Sequence, residues 1–449
     1  MINKNIKFIA IIFSIFIISL SVMSCVSANL DYSQVDSEIN QGNFDNAIKV
    51  IKNNSYYYYS ANDKVLSYLD AGILLHLARN YDNSNENLQK AEVEIEKNFA
   101  KSISQSVGQI LVNDGVADYP GETYEDIYTN IFKCLNYIHL NKLEDAMVEI
   151  RRFDNKMKVV GHEYQGIIDR QKLDMTTDIE RNEFSQVDSS VKFHNSALAR
   201  YLSMLLYRTE GDYDSARIDY EKINDAYRFQ PELYNFSMPT GLKDELVMPE
   251  KGARVNVISF TGKGPVKYEE VCRIPLESTY VKFAIPVLER RPTDIRAIQV
   301  VFTSQDSGLS YKLNLHAIES IENIAADTYK QHFAAIYARA VTRCITKAVK
   351  TGVYDAISRY SDDSQIRGIF SMLNLFSRVS TEVTETADTR ISRYFPGYAS
   401  IGGITIPEGQ YTVSCNFYNS QSRRVYVITI PDYEFSKGKL NLLEFNYLR

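Results

Sequence analysis

Proline divides this chain more sharply than any other residue. Of eleven prolines in 449 residues, Pro120 alone precedes position 229 and ten follow it. Proline lacks the amide donor that a helix interior needs, and it gathers in turns and at strand edges. The first half is therefore expected to be helical, and the second mixed, with strands. Between them, 230–252 contains Pro231, Pro239 and Pro249 and reads as a linker.

The helical half repeats itself. Gly42-Asn-Phe44-Asp-Asn-Ala47 has the form G-x-aromatic-x-x-A, and Gly211-Asp-Tyr213-Asp-Ser-Ala216 has it again. Asn80-Tyr81-Asp-Asn-Ser84 and Asn141-Lys-Leu143-Glu-Asp-Ala146 are weaker copies. A small residue early in a second helix lets the first helix approach closely, and the aromatic one turn before it fills the wedge. These copies resemble the tetratricopeptide repeat around its inter-helix turn. The small positions lie 37, 62 and 70 residues apart, whereas a tandem array repeats every 34 or so. The expectation is thus a degenerate, interrupted repeat domain, with insertions at 114–125 and 155–190. Cys134 occupies a small packing position in this pattern.

The amino terminus points to a membrane. Lys4 and Lys7 are followed by an apolar run from Phe8 to Met23, then Ser24 and Cys25. A short basic region, an apolar core and a small residue at a cut site make a secretory signal. The run has 16 residues, between the about 7 to 15 of a signal core and the about 20 of a spanning helix. Val22-Met23-Ser24-Cys25 resembles the lipobox of bacterial lipoproteins, which implies a lipid on Cys25. An uncleaved signal anchor and plain secretion are the alternatives. A diacyl or triacyl cysteine would anchor stably where one chain would not. Val26 and Ser27, with no Asp after the cysteine, favour the periplasmic face of the outer membrane over the inner membrane.

Charge narrows the partners. Without Lys4 and Lys7 the net charge moves from −6 to −8. Nucleic-acid binders present basic faces, and adhesion to anionic lipid needs polybasic segments, so neither is expected. After Cys25, the cysteines Cys134, Cys272, Cys344 and Cys415 are scattered and form no disulfide framework or metal pattern. The six histidines are equally dispersed. Gly262-Lys263-Gly264 lacks the Ser or Thr that follows the lysine of a P-loop, and there is no G-x-S-x-G elbow. No cofactor, metal or catalytic set is expected.

The second half opens with the alternating run Arg254–Phe260, and similar runs lie at 279–285, 297–303, 311–315, 404–417, 423–430 and 440–447. A helical block is expected at about 316–381. Phe333, Ile336, Tyr337, Ala340, Cys344 and Ala348 share one of its faces. Pro407-Glu-Gly-Gln-Tyr411 leads into a strand as in small β-sandwich modules of envelope proteins. The most site-like stretch is Asp388-Thr-Arg390 with Arg393. An Asp and an Arg two apart could hold an anionic or amide-bearing ligand, or Asp388 could pin a turn.

Asp118-Tyr-Pro-Gly-Glu-Thr-Tyr-Glu125, ahead of the repeat-like helices, and Ala387-Asp-Thr-Arg390, after the helical block, together resemble an uncharacterised family of bacterial tetratricopeptide-repeat-containing envelope lipoproteins. The resemblance implies an envelope protein with no established activity to carry over. The organisation expected is α plus mixed α/β. A signal peptide covers 1–24, a repeat domain 25–229, the linker 230–252, and an α+β domain of β-sandwich type 253–449. The expected function is a non-enzymatic scaffold or assembly factor that binds another envelope protein or peptide segment. The alternative is a glycan-binding protein or hydrolase using Asp388 and Arg390.

Overall fold

A computed structural model describes residues 30–104, 117–174, 191–276, 279–330, 333–334, 336–337 and 387–449. Four helical hairpins occur among them. Helices α1 (Ser33–Asn40) and α2 (Phe44–Asn53) make the first, and a single turn, α3 (Ser55–Tyr58), follows. Helices α4 (Lys64–Leu77) and α5 (Tyr81–Ser104), α6 (Thr123–His139) and α7 (Leu143–Asp174), and α8 (Ala197–Glu210) and α9 (Tyr213–Phe229) make the rest.

The four turns share one geometry. Gly42, Arg79, Asn141 and Gly211 all have positive φ, between 56° and 81°, and each stands two residues before its second helix. The next amide in each turn (Asn43, Asn80, Lys142, Asp212) donates back to Glu38, Leu75, Tyr137 or Tyr207 at 2.8–2.9 Å. This Schellman closure satisfies carbonyls that the helix end would leave orphaned. Phe44, Tyr81, Leu143 and Tyr213 begin the second helices, and Ala47, Ser84, Ala146 and Ala216 are fully buried one turn later. In the second hairpin Gly72 lets α5 come close: a Cβ there would stand 2.6 Å from Leu88 Cδ2.

The strands form one seven-stranded sheet in the order β8-β7-β4-β5-β6-β1-β9. Its members are β1 (Ala253–Lys263), β4 (Ile295–Ser304), β5 (Ser310–Ser320), β6 (Pro396–Ile406), β7 (Gly409–Asn419), β8 (Arg424–Phe435) and β9 (Asn441–Tyr447). Neighbours are antiparallel except β1 and β9, which pair in parallel with Val257 opposite Leu443. The sheet curls almost closed, so that Tyr426 of β8 stacks on Tyr447 of β9 at 4.6 Å. The expected sandwich of two sheets is therefore replaced by one nearly closed sheet. Its concave side is filled by Val255, Val300, Phe302, Val413, Cys415, Phe417 and Phe445. A separate two-stranded hairpin is made by β2 (Val266–Leu276) and β3 (Thr279–Glu289).

Helices and sheet are not held apart by a linker. Gln34–Arg449 clusters as one compact unit. Strand β1 is buried on both faces because Asn256, Ile258 and Phe260 turn outward onto the helices. Phe132 of α6 meets Phe260 at 5.3 Å, and Tyr201 of α8 accepts from Asn256 at 3.0 Å. The proline-rich 230–252 segment packs too, with Gln230, Leu233, Tyr234 and Leu242 buried. The expected helical block begins at 321 rather than 316, because β5 continues through Ser320. Most of it, including Ala340, Cys344 and Ala348, lies outside the described residues.

Candidate functional site

Two helical hairpins and the last strand meet at a buried carboxylate. Glu444 of β9 takes His76 Nε2 on one oxygen at 2.8 Å and His139 Nε2 on the other at 3.0 Å. His76 lies in the last turn of α4 and His139 ends α6, so each residue sits at a helix carboxyl terminus. The other face of His76 fixes its charge. Asn136 gives both of its amide hydrogens to Ser84 Oγ (2.9 Å) and Asn85 Oδ1 (2.8 Å), which leaves its oxygen as an acceptor for His76 Nδ1 at 2.7 Å. With Glu444 a carboxylate, both ring nitrogens of His76 face acceptors, the arrangement that an imidazolium satisfies. Burial opposes that charge, but Glu444 outweighs it and raises the His76 pKa. Burial likewise opposes the charge on Glu444, yet His76 and His139 hold its carboxyl well below the usual range. Tyr81 stacks on His139 at 4.6 Å, so an aromatic from the repeat pattern doubles as a lid on the site.

A pocket of about 560 Å³ opens beside Glu444. Its wall includes the start of α2 (Asn43 to Asn46, and Lys49), the turn at Ala78 and Arg79, Tyr426 and Ile428 of β8, and Asn446 of β9. Tyr426 and Ile428 belong to the concave side of the sheet, whereas Glu444 faces the helices. Both sides show in one pocket because the sheet fails to close between β8 and β9. Asn446 donates to Glu444 at 2.8 Å, and its own oxygen is buried without a partner.

The Asp388 stretch does something different. Both oxygens of Asp388 engage Arg390, at 2.8 and 2.7 Å, and its Oδ1 also accepts the Arg390 amide at 3.1 Å. Arg390 reaches on to Asp63 before α4 at 2.9 Å. Burial disfavours its charge, but Asp388 and Asp63 more than restore it. Next along the chain, Ser392 gives its hydroxyl to Asp70 (2.7 Å) and its amide to Glu125 (2.6 Å). The Arg393 amide also goes to Asp70, at 3.1 Å. Burial pushes Asp70 up to about 6, and burial followed by the charge of Glu122 pushes Glu125 up to about 8. Asp388 thus pins a segment that stitches α4 and α6 to the sheet, and among the described residues its carboxylate is taken up by Arg390.

The remaining expectations sort simply. Cys25 lies outside the described residues. Cys134 and Cys415 are buried free thiols, and burial raises both, consistent with packing. The repeat positions set the hairpin turns, and of them Gly42, Phe44, Tyr81 and Ser84 come near the Glu444 site. Sequence spacing missed that site because its members are separated by up to 368 positions. Compared with protein-family models, curated proteins and solved structures, the chain matches none.

Proposed function

We propose that the protein is a non-enzymatic cell-envelope lipoprotein, anchored through lipid on Cys25 at the periplasmic face of the outer membrane. Its tetratricopeptide-like hairpins serve as an interaction scaffold or assembly factor for another envelope protein or peptide segment. The observation that carries this reading is the use made of the buried ionisable groups. Asp70, Glu125, Glu319, Arg208 and Glu444 each join a helix or its flanking turn to the sheet or to the strand-bordering segment. Groups committed to architecture in this way leave binding through surfaces as the role best supported.

The anchor is tested by metabolic labelling of cells with a palmitate analogue. Label is expected on the wild-type chain and lost in Cys25→Ala; label that persists in the variant would sink the lipid assignment. The scaffold role is tested by crosslinking in intact cells followed by affinity recovery. A reproducible envelope protein is expected, and repeated failure to recover one counts against the reading.

A further inference from the structure

Away from the Glu444 site, three cations gather on a single carboxylate. Lys263, within Gly262-Lys263-Gly264, ends β1; Arg291 follows β3 by two residues, and Arg393 precedes β6 by three. Asp36 of α1 takes Lys263 Nζ on one oxygen at 2.9 Å and Arg393 Nη2 on the other at 3.5 Å. Arg291 pairs with no carboxylate among the described residues. Its Nε donates to the Gly264 carbonyl at 2.6 Å and its Nη2 to the Arg393 carbonyl, while its Nη1 donates to no described residue. The Lys263 ammonium carries three donors, and Asp36 engages one of them.

The neighbouring acids are committed elsewhere. Glu322 pairs with Arg290 at 3.4 Å. Asp70 accepts from the hydroxyls of Tyr59 and Ser392 and from the Arg393 amide. Even with both counted, Lys263, Arg290, Arg291 and Arg393 outnumber Asp36, Asp70 and Glu322 among the described residues. The surplus sits where water is scarce but a small ion can enter: the side chains of Lys263, Arg393 and Asp36 are 13%, 23% and 24% exposed. Burial, and then the Arg393 charge, lower the Arg291 pKa to about 10. Burial above all lowers that of Lys263, against the pull of Asp36. A partly buried cation without a counterion is costly, and a bound anion removes that cost. A carboxylate is planar and offers two oxygens, the geometry that Asp36 already supplies. A phosphate offers oxygens on every side, which suits guanidinium and ammonium donors arriving from three separate chain segments.

We propose that Lys263, Arg291 and Arg393 form a binding site for phosphate, either the free inorganic ion or the phosphoryl group of a phosphomonoester. Lys263 Nζ and Arg291 Nη1 are its donors. Occupancy strengthens the tie of α1 to β1 and to the segment before β6. The site is separate from any partner surface, so it stands or falls apart from the scaffold reading.

The test is thermal unfolding of the full-length chain in micelles of an uncharged detergent. Sodium phosphate, acetate and chloride are compared at equal ionic strength, which holds general screening constant. An ion bound only by the folded chain raises the unfolding temperature with its concentration, and phosphate is expected to do so beyond acetate and chloride. Lys263→Gln should weaken phosphate about tenfold or more, the loss of one charge-assisted hydrogen bond. Asp36→Asn keeps the shape, removes the competing carboxylate and should tighten phosphate instead. A cluster that serves only to hold α1 would not respond in that direction, and this variant carries the test if Lys263→Gln does not fold. Protection by glycerol phosphate as well assigns a phosphomonoester, whereas protection by inorganic phosphate alone assigns the free ion. A shift no greater in phosphate than in acetate or chloride overturns the proposal. So does a phosphate affinity that neither substitution moves, or that Asp36→Asn weakens.

Discussion

Replacing Glu444 by glutamine keeps its shape, removes its charge and so isolates the ionic part of the junction between α4, α6 and β9. The wild-type carboxylate accepts from both histidines, whereas a glutamine can accept only through Oε1 and sets its amide hydrogens against the other imidazole. His76 is fully buried and loses its counterion, while His139 is 13% exposed at the side chain and keeps access to solvent. Removing one partner of a buried ion pair costs about 3–5 kcal/mol, and Glu444→Gln should fall in that range where the pair is fully charged. The pH window follows from the two shifts. His76, raised above its ordinary 6.5, contributes fully below that value and loses its contribution as pH rises through its folded pKa. Glu444, lowered below its ordinary 4.5, contributes fully above that value and loses its contribution as pH falls toward its folded pKa. The stability gap between wild type and variant should therefore be widest between pH 4.5 and 6.5 and shrink at higher pH. Urea denaturation followed by far-ultraviolet circular dichroism, from about pH 5 to about pH 9, measures it. A gap that stays constant across that range would refute the imidazolium assignment.

Three further substitutions probe the helical hairpins and their attachment. Gly72→Ala overpacks the α4–α5 contact against Leu88 and should cost about 1–3 kcal/mol; combined with Leu88→Ala, it should cost less than the sum of the two, and simple additivity in thermal unfolding would contradict the contact. Gly211→Ala adds a Cβ that meets no atom within 4 Å at φ 81°, so its loss of about 1 kcal/mol should come from backbone strain alone; no loss would mean the turn relaxes. Glu319→Gln puts amide hydrogens among donors already aimed at the carboxylate by Tyr128, Ser196, Tyr234 and the Leu198 amide. It should cost about 1–3 kcal/mol, and unchanged denaturant stability would show that the buried network tolerates the clash.

The parts of this fold that depend on neighbours in sequence were legible in advance. Helix turns repeat as Gly or Asn two residues before an aromatic or leucine, and three of the four left-handed positions carry such a residue. The fourth, Arg79, was hidden because nothing about arginine marks it for positive φ; only the closure from Asn80 to Leu75 shows why it is there. Alternation marked most strands, but β2 was missed because Glu269, Glu270 and Arg273 break its apolar rhythm. The sheet order could not be read, since β1 lies between β6 and β9 and no local pattern records a partner more than a hundred positions away. His76, His139 and Glu444 were individually visible residues with no spacing to unite them.

The way the two halves join also explains why the proline boundary is not a break in the packing. A repeat array with an open groove would present the inner faces of its first helices to a partner. Here those faces are filled by the chain's own strands: Tyr128 bonds Glu319, His76 bonds Glu444, and Arg208 pairs with Glu245 and Asn256. Each contact matches a buried polar group on a helix with one on or beside the sheet, and such a group is costly to leave unpaired. Separation would expose several at once, so helices and sheet should unfold together, and no rearrangement of the hairpins alone could free a groove at low cost.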